Sequence, residues 1–341
     1  MIGAMDQTDL AADLALAAGD LGTRLSFSAL GERGLVVRDL ATDGPVRSWP
    51  GGPIVIGVDR MAALSRASAD YDVLLTNAPS APRPWVSVGD IDAALARIQA
   101  TLARAPVASS IAASVVRTGE GLSFEAALTL ESLAYSALLG GQEFRRWRTD
   151  TPRSPSVPDA GPPVRVDRTG DLLHVVLSRP GKRNALSAAM RDGLCDALGL
   201  VALDPGISCA ELSGEGENFC AGGDFQEFGS AGDLASAHVL RLTASAALAA
   251  HRVRERLSVR GHGAIVGGGL EIAAAAADFR VRPGAQMWLP EVTMGLIPGA
   301  GGTVTVPRRI GRQRGLYMML TAARIDVATA LDWGLIDGVL P

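Results

Sequence analysis

The segment that most narrows what this chain can fold into runs from Gly263 to Ala277. An apolar Ala-Ile-Val stretch reaches Gly267-Gly-Gly269 and passes directly into Leu-Glu-Ile and five alanines. The pattern predicts a strand, a tight turn and a helix that starts at the glycines. A helix start leaves unpaired N–H groups and a partial positive charge, and glycine lets a ligand approach that backbone closely. Such donors suit an oxygen that gains negative charge, such as a thioester carbonyl becoming an enolate, and a contact of this kind is worth about 3 kcal/mol. The simpler alternative is that the glycines only permit close helix packing.

Glu271 favours the chemical reading. It sits in the first turn of an otherwise apolar helix, where burial without a partner would cost several kcal/mol. Water and a second carboxylate at the same place would account for it; the ordinary alternative is a favourable contact with the helix dipole. Glu291 follows Pro290, a common way to start a helix. As a pair, one carboxylate could activate water while the other holds or delivers a proton.

The charge balance excludes other classes. With 32 Lys+Arg against 36 Asp+Glu in 341 residues, net charge −4, there is no broad cationic surface for nucleic acid. An apolar fraction of 48% excludes a disordered or fibrous chain and allows two domains, or one with a large appendage. Cys195, Cys209 and Cys220 make neither a CxxC pair nor a Cys/His cluster, so no disulfide framework and no metal site are expected. Nor does a nucleotide fingerprint of the P-loop or dinucleotide type occur. Acidic residues precede the first basic one, Arg24, which is wrong for a secretory or mitochondrial leader, and a cytoplasmic location is expected. The apolar stretch from Gly263 meets Glu271 after eight residues, too short to cross a bilayer.

Four regions are expected. Residues 1–84 read as a small α/β region with β-rich runs at Leu35–Arg38, Pro53–Val58 and Tyr71–Leu75 around a short Ala-rich helix. Residues 85–150 read as helical, with Asp90 and Ser123 as N-caps. Residues 151–163 carry five prolines and read as an extended linker. Residues 164–341 alternate strands with amphipathic helices, an α/β layered domain in which Ser187 caps one helix.

Four ordered motifs in the last region carry a resemblance: Arg179-Pro-Gly-Lys-Arg-Asn-Ala-Leu186, Phe219-Cys-Ala-Gly-Gly-Asp224, Gly267-Gly-Gly-Leu-Glu271, and Pro290-Glu291 with Ile297-Pro-Gly-Ala-Gly-Gly302. From about Val164 to Pro341 the chain resembles the crotonase superfamily, the enoyl-CoA hydratases and isomerases. The resemblance implies an α/β fold with a crotonase-like spiral core of ββα units. It also implies an acyl-CoA thioester as substrate, no cofactor beyond the coenzyme A of that substrate, and a homo-oligomer, trimer or hexamer. The amides of Ala221 and Gly268 would form the oxyanion hole. Glu271 and Glu291 would fall on both hydratase glutamates, with Glu271 deprotonating water and Glu291 protonating carbon 2 of a 2-enoyl-CoA. Lys182, Arg183, Asn184 and Ala185 would border the nucleotide of CoA, and Gly222, Asp224 and Trp288 would help to bind the substrate.

Three departures qualify this. Trp288-Leu289 stands where many hydratases have Gly-Gln, which implies a reshaped acyl pocket. Phe225-Gln226 replaces the usual Ile-Lys, which removes one cation beside CoA. Family members normally continue past the motif at Trp333 to Gly338 into helices that cover the active site, whereas here the sequence ends at Pro341 and similar helices occupy 89–148, with Ala126-Ala-Leu-x-x-Glu131 leading to Gln142-Glu-Phe144. A circular permutation is therefore expected, against the alternative of an unrelated amphipathic appendage. The competing functions are double-bond isomerisation, a cofactor-independent oxygenase and a catalytically silent acyl-CoA binding protein.

Overall fold

A computed structural model of the chain describes residues 20–43, 49–64, 70–153 and 161–341. After a short helix α1 (Leu21–Ser26), four parallel strands follow in simple order: β1 (Leu35–Asp39), β2 (Ile54–Asp59), β3 (Val73–Thr76) and β4 (Val86–Ser87). β2 and β3 are buried at every position, as expected for parallel strands covered on both faces. The Ala-rich helix expected between them extends into residues 65–69, outside the described residues.

Asp90 then caps α2 (Ile91–Arg104), its carboxylate accepting from Ala93 N at 3.0 Å. Pro106 opens α3 (Pro106–Gly119), and Ser123 caps α4 (Phe124–Leu139), which is followed by α5 (Gln142–Asp150). Of the linker expected over 151–163, residues 154–160 lie outside the described residues.

The hairpin β5 (Val164–Thr169) and β6 (Leu172–Leu177) starts the layered region. Every second residue of β6 is buried, which sets one face on the core. Ser187 caps α6 (Ala188–Leu203), and β7 (Cys209–Gly214), α7 (Leu234–Thr243) and α8 (Ala246–Arg252) follow.

From there the chain repeats a unit. β8 (Leu257–Gly261) joins the large sheet, β9 (Ala264–Val266) a second small layer, and α9 (Gly268–Ala273) closes the turn. β10 (Asp278–Val281) and β11 (Gln286–Trp288) do the same, ending in a 3-10 turn, Glu291–Met294. The large sheet reads β12-β10-β8-β7-β6-β5, parallel except for the hairpin, with β11-β9 stacked as a separate pair. These are the ββα units of a spiral. The chain closes through α10 (Gly302–Ile310), α11 (Arg312–Thr321), α12 (Val327–Trp333) and β12 (Gly338–Val339).

One core runs through all of this. Ile56, Val73 and Val86 of the four-stranded sheet share it with Ala112 of α3, Val175 of β6 and Met318 of α11. Arg314 fastens α11 to the loop before β4, donating to Trp85 O at 2.8 Å and Ala81 O at 2.7 Å. The helices over 91–150 also lie against the spiral. Arg148 of α5 donates to the carbonyls of Phe225 (2.8 Å) and Phe228 (3.1 Å), and Trp147 packs edge-on to Phe225.

Candidate active site

The glycine turn forms as its sequence demands. Gly267 adopts φ +45°, and a Cβ there would lie 2.3 Å from Oε1 of Glu291, so the same position needs glycine for its conformation and for space. Beyond it, α9 lasts less than two turns and buries Glu271. A cleft of about 380 Å³ opens beside it, with Gly223, Gly268, Glu271, Glu291, Tyr135 and Arg241 on its wall.

The two glutamates, distant in sequence, meet there in different surroundings. Oε2 of Glu271 accepts from the amides of Ala300 and Gly302, both at 2.7 Å. Gly302 must be small, since a Cβ would sit 2.6 Å from Cγ of Glu271. Glu291 is 7% exposed, and its Oε2 is buried with no hydrogen-bond partner. Burial, then the negative charges of Glu291 and Glu131, hold the Glu271 carboxyl well above the usual carboxylate range, against the pull of the two amides. Burial pushes Glu291 up to about 8. Hydrogen bonds to a charged group contribute about 1.5–3 kcal/mol each, against a burial penalty of several kcal/mol. Two such bonds offset part of the cost of ionising Glu271, whereas among the described residues Oε2 of Glu291 has no donor and only its own backbone N–H favours the charged form of that carboxyl. The two amides at Oε2 thus favour the charged form of Glu271, while burial and neighbouring charge raise both carboxyls.

The donor side requires one correction. The amide of Ala221 donates to Arg183 O at 2.9 Å, and Ala221 is not on the cleft wall, so it has no N–H to offer a ligand. Gly223, two residues further, lies on the wall, and among the described residues its N–H meets no acceptor. Leu186 pairs with it as a parallel bridge that uses the flanking Gly222 O and Asp224 N instead. Gly268, the first residue of α9, likewise keeps its amide unpaired. Among the described residues, Gly223 and Gly268 thus each bring an unpaired amide to the cleft wall beside the two glutamates.

Several expected substrate contacts are structural. Asn184 is fully buried and braces its loop, donating to Glu215 O (2.8 Å) and Asn218 O (2.9 Å) and accepting from Arg179 N (2.8 Å). Asp224 reaches the cleft wall, but its carboxylate is paired with buried Arg179 at 2.9 Å. Gly222 supplies φ +95° and a carbonyl for Leu186 N, off the wall. Lys182 is half-buried, Arg183 is exposed, and neither they nor Ala185 line the cleft. Trp288 is also off the wall: Arg324 stacks 4.9 Å over its ring, and β11 turns Met287 rather than Trp288 into the core. Its ring thus adds no surface to this cleft.

Burial pushes the Cys220 thiol up to about 11, which keeps it protonated and inert at neutral pH. None of the four histidines lines the cleft. Glu131, Tyr135 and Arg241 were not anticipated as site residues. For Glu131 a signal existed: it falls on the stripe of Ala127 and Ala134, where a charge has no business unless something inside receives it. Among the described residues no His/Cys/Asp/Glu group could hold a metal ion, and no helix is long and apolar enough to cross a membrane.

A family model for enoyl-CoA hydratase/isomerase matches residues 167–341. An enoyl-CoA isomerase/hydratase of Mycosarcoma maydis is 34% identical over 194 residues, 53% of this chain and 69% of that protein. The 2,3-dehydroadipyl-CoA hydratase of Escherichia coli is 32% identical over 176 residues, 52% of this chain and 68% of that protein. An enoyl-CoA hydratase structure from Thermoplasma volcanium aligns with a TM-score of 0.48 at 31% identity, covering 53% of this chain and 72% of that one.

Proposed function

Because the chain belongs to the enoyl-CoA hydratase/isomerase family of the crotonase superfamily, and so is an enzyme of acyl-CoA hydration or isomerisation, we propose that its reaction is the hydration of a 2-enoyl-CoA. The amides of Gly223 and Gly268 polarise the thioester oxygen, which makes carbon 3 electrophilic and stabilises the enolate that follows. Glu271, anionic under its two amide donors, takes a proton from water as it adds to carbon 3. Glu291 gives its proton to carbon 2.

The observation that carries this reading is the unequal partnering of two buried carboxyls on one cleft: two amides at Oε2 of Glu271, none at Oε2 of Glu291. An isomerase needs one proton shuttle; a second carboxylate held for ionisation favours water as co-substrate. Loss of conjugated enoyl absorbance across short, branched and aromatic 2-enoyl-CoAs tests it. Turnover of 3-enoyl-CoAs alone would replace hydration by isomerisation, and oxygen uptake would replace both by oxygenation.

The reading extends to three coarser points. The helices over 91–150 act as the cover of the site, as in a permuted arrangement of the family's covering helices. The enzyme works without a cofactor other than the CoA of its substrate. It assembles as a homo-oligomer in the cytoplasm, which sedimentation and cell fractionation check.

A further inference from the structure

Glu131 is a third buried carboxylate at this site, and the reaction above does not use it. It is 2% exposed and comes from α4, 170 residues ahead of the turn it touches. Its Oε1 accepts from Gly301 N at 2.8 Å, and its Oε2 from Thr303 N at 2.8 Å and the Thr303 hydroxyl at 2.7 Å. Glu271 holds the alternate amides of the same turn, Ala300 and Gly302. Four successive N–H groups are thus shared out in alternation between two carboxylates.

Gly301 is the N-cap of α10 with φ +110°, and Gly302 and Thr303 open its first turn, so both carboxylates hold amides of a single helix start and share one anchorage. If Gly301 and Thr303 were released, the turn could rotate and Ala300 and Gly302 would lose their aim at Glu271. We infer that Glu131 is a positioning residue: it locks the turn that orients Glu271, and its own negative charge acts on the proton shared by Glu271 and Glu291. The inference rests on those two residues being the catalytic pair proposed above.

The charged surroundings are consistent with this. Facing Glu131 are Arg241 of α7, Tyr135 one turn along α4, Glu271 of α9 and Glu291 of the 3-10 turn, with His238 of α7 held nearby on Ser132. Burial pushes Glu131 up to about 7, while the Thr303 and Gly301 donors and Arg241 favour its charged form. Its charge in turn raises both Glu271 and Glu291.

The test is Glu131→Gln in the full chain. Glutamine keeps the size but offers one acceptor oxygen and turns an NH2 toward amide donors. Carboxyl-carbon NMR titration of Glu291, assigned with its own Gln variant, should move to lower pH by about 1 on the pH scale as the neighbouring charge is lost, while Glu271, relieved of that charge but also of the aim of its amides, should move less. The alkaline limb of kcat, set by the Glu291 proton, should move with it, with kcat down about tenfold and KM within about threefold. Thr303→Val, which removes only the hydroxyl donor, should move the titration in the same direction by less. A purely structural Glu131 would lower the melting temperature and leave titration and kcat per folded molecule unchanged; that result overturns the inference. If Glu131→Gln fails to fold, an unmoved titration in Thr303→Val overturns it instead. Lack of turnover by the wild type on every enoyl-CoA would remove the hydratase reading, while the titration would still decide the role of Glu131.

Discussion

The two ends of the catalytic cleft show how one fold makes two acids of one residue type behave differently. At one end, the turn over 300–303 points amides at Glu271 and supports the ion. At the other, the 3-10 turn Glu291–Met294 buries a carboxyl and leaves Oε2 without a donor. Backbone donors are fixed dipoles, so the distinction is built before any substrate arrives. In the proposed mechanism the environment assigns base and acid; the side chains are the same.

The strongest challenge to that contrast is to neutralise each end in turn. Glu271→Gln and Glu291→Gln should each lower kcat for hydration by about a hundredfold to ten-thousandfold, while calorimetry shows acyl-CoA binding retained. Full activity in both would remove the division of labour. Crowding each end comes next. Gly302→Ala places a methyl 2.6 Å from Cγ of Glu271, and Gly267→Ala places one 2.3 Å from Oε1 of Glu291 at a left-handed φ. Each should lose about tenfold to a hundredfold in kcat and about 1–3 kcal/mol of stability by denaturant unfolding.

A smaller effect separates the ends by pH. The folded carboxyl of Glu291 lies at about 8 and the unfolded one near its ordinary 4.5. Folding therefore retains a proton that the unfolded chain releases. The contribution of Glu291 is most favourable below the unfolded value and is lost as pH rises through 8. Glu291→Gln should accordingly raise the melting temperature relative to wild type by several degrees, about 2–8 °C, at pH 9 and by little at pH 5. An equal shift at both pH values would show that burial does not hold this proton. The smallest effect is expected at Trp288→Phe, where kcat/KM should change by less than about twofold, because the ring packs under Arg324 away from the cleft.

Much of this was legible in residue order. Period-two burial in Leu172–Leu177 and the caps Asp90, Ser123 and Ser187 follow from local rules that need no distant partner. So does the glycine turn before Glu271. Ala221 shows where such rules stop. In Ala221-Gly-Gly223 each residue offers the same N–H, and which one stays open depends on Arg183 O claiming the first, a contact with a loop 38 residues earlier. Asn184 looked like a ligand contact because a polar side chain in a basic turn is ambiguous until its acceptors are known. Trp288 is the bulkiest residue of its strand, and strand alternation turns it opposite to Met287, toward Arg324.

The 170-residue gap between Glu131 and Gly301 also bears on how the protein is made. At about 5–20 residues per second of synthesis, α4 emerges from the ribosome roughly ten to thirty seconds before the backbone that will neutralise its buried acid. During that wait Ala127 and Leu128 lack Val304, a later residue of their apolar cluster. The lock on this turn therefore closes late, only once both distant partners have been made.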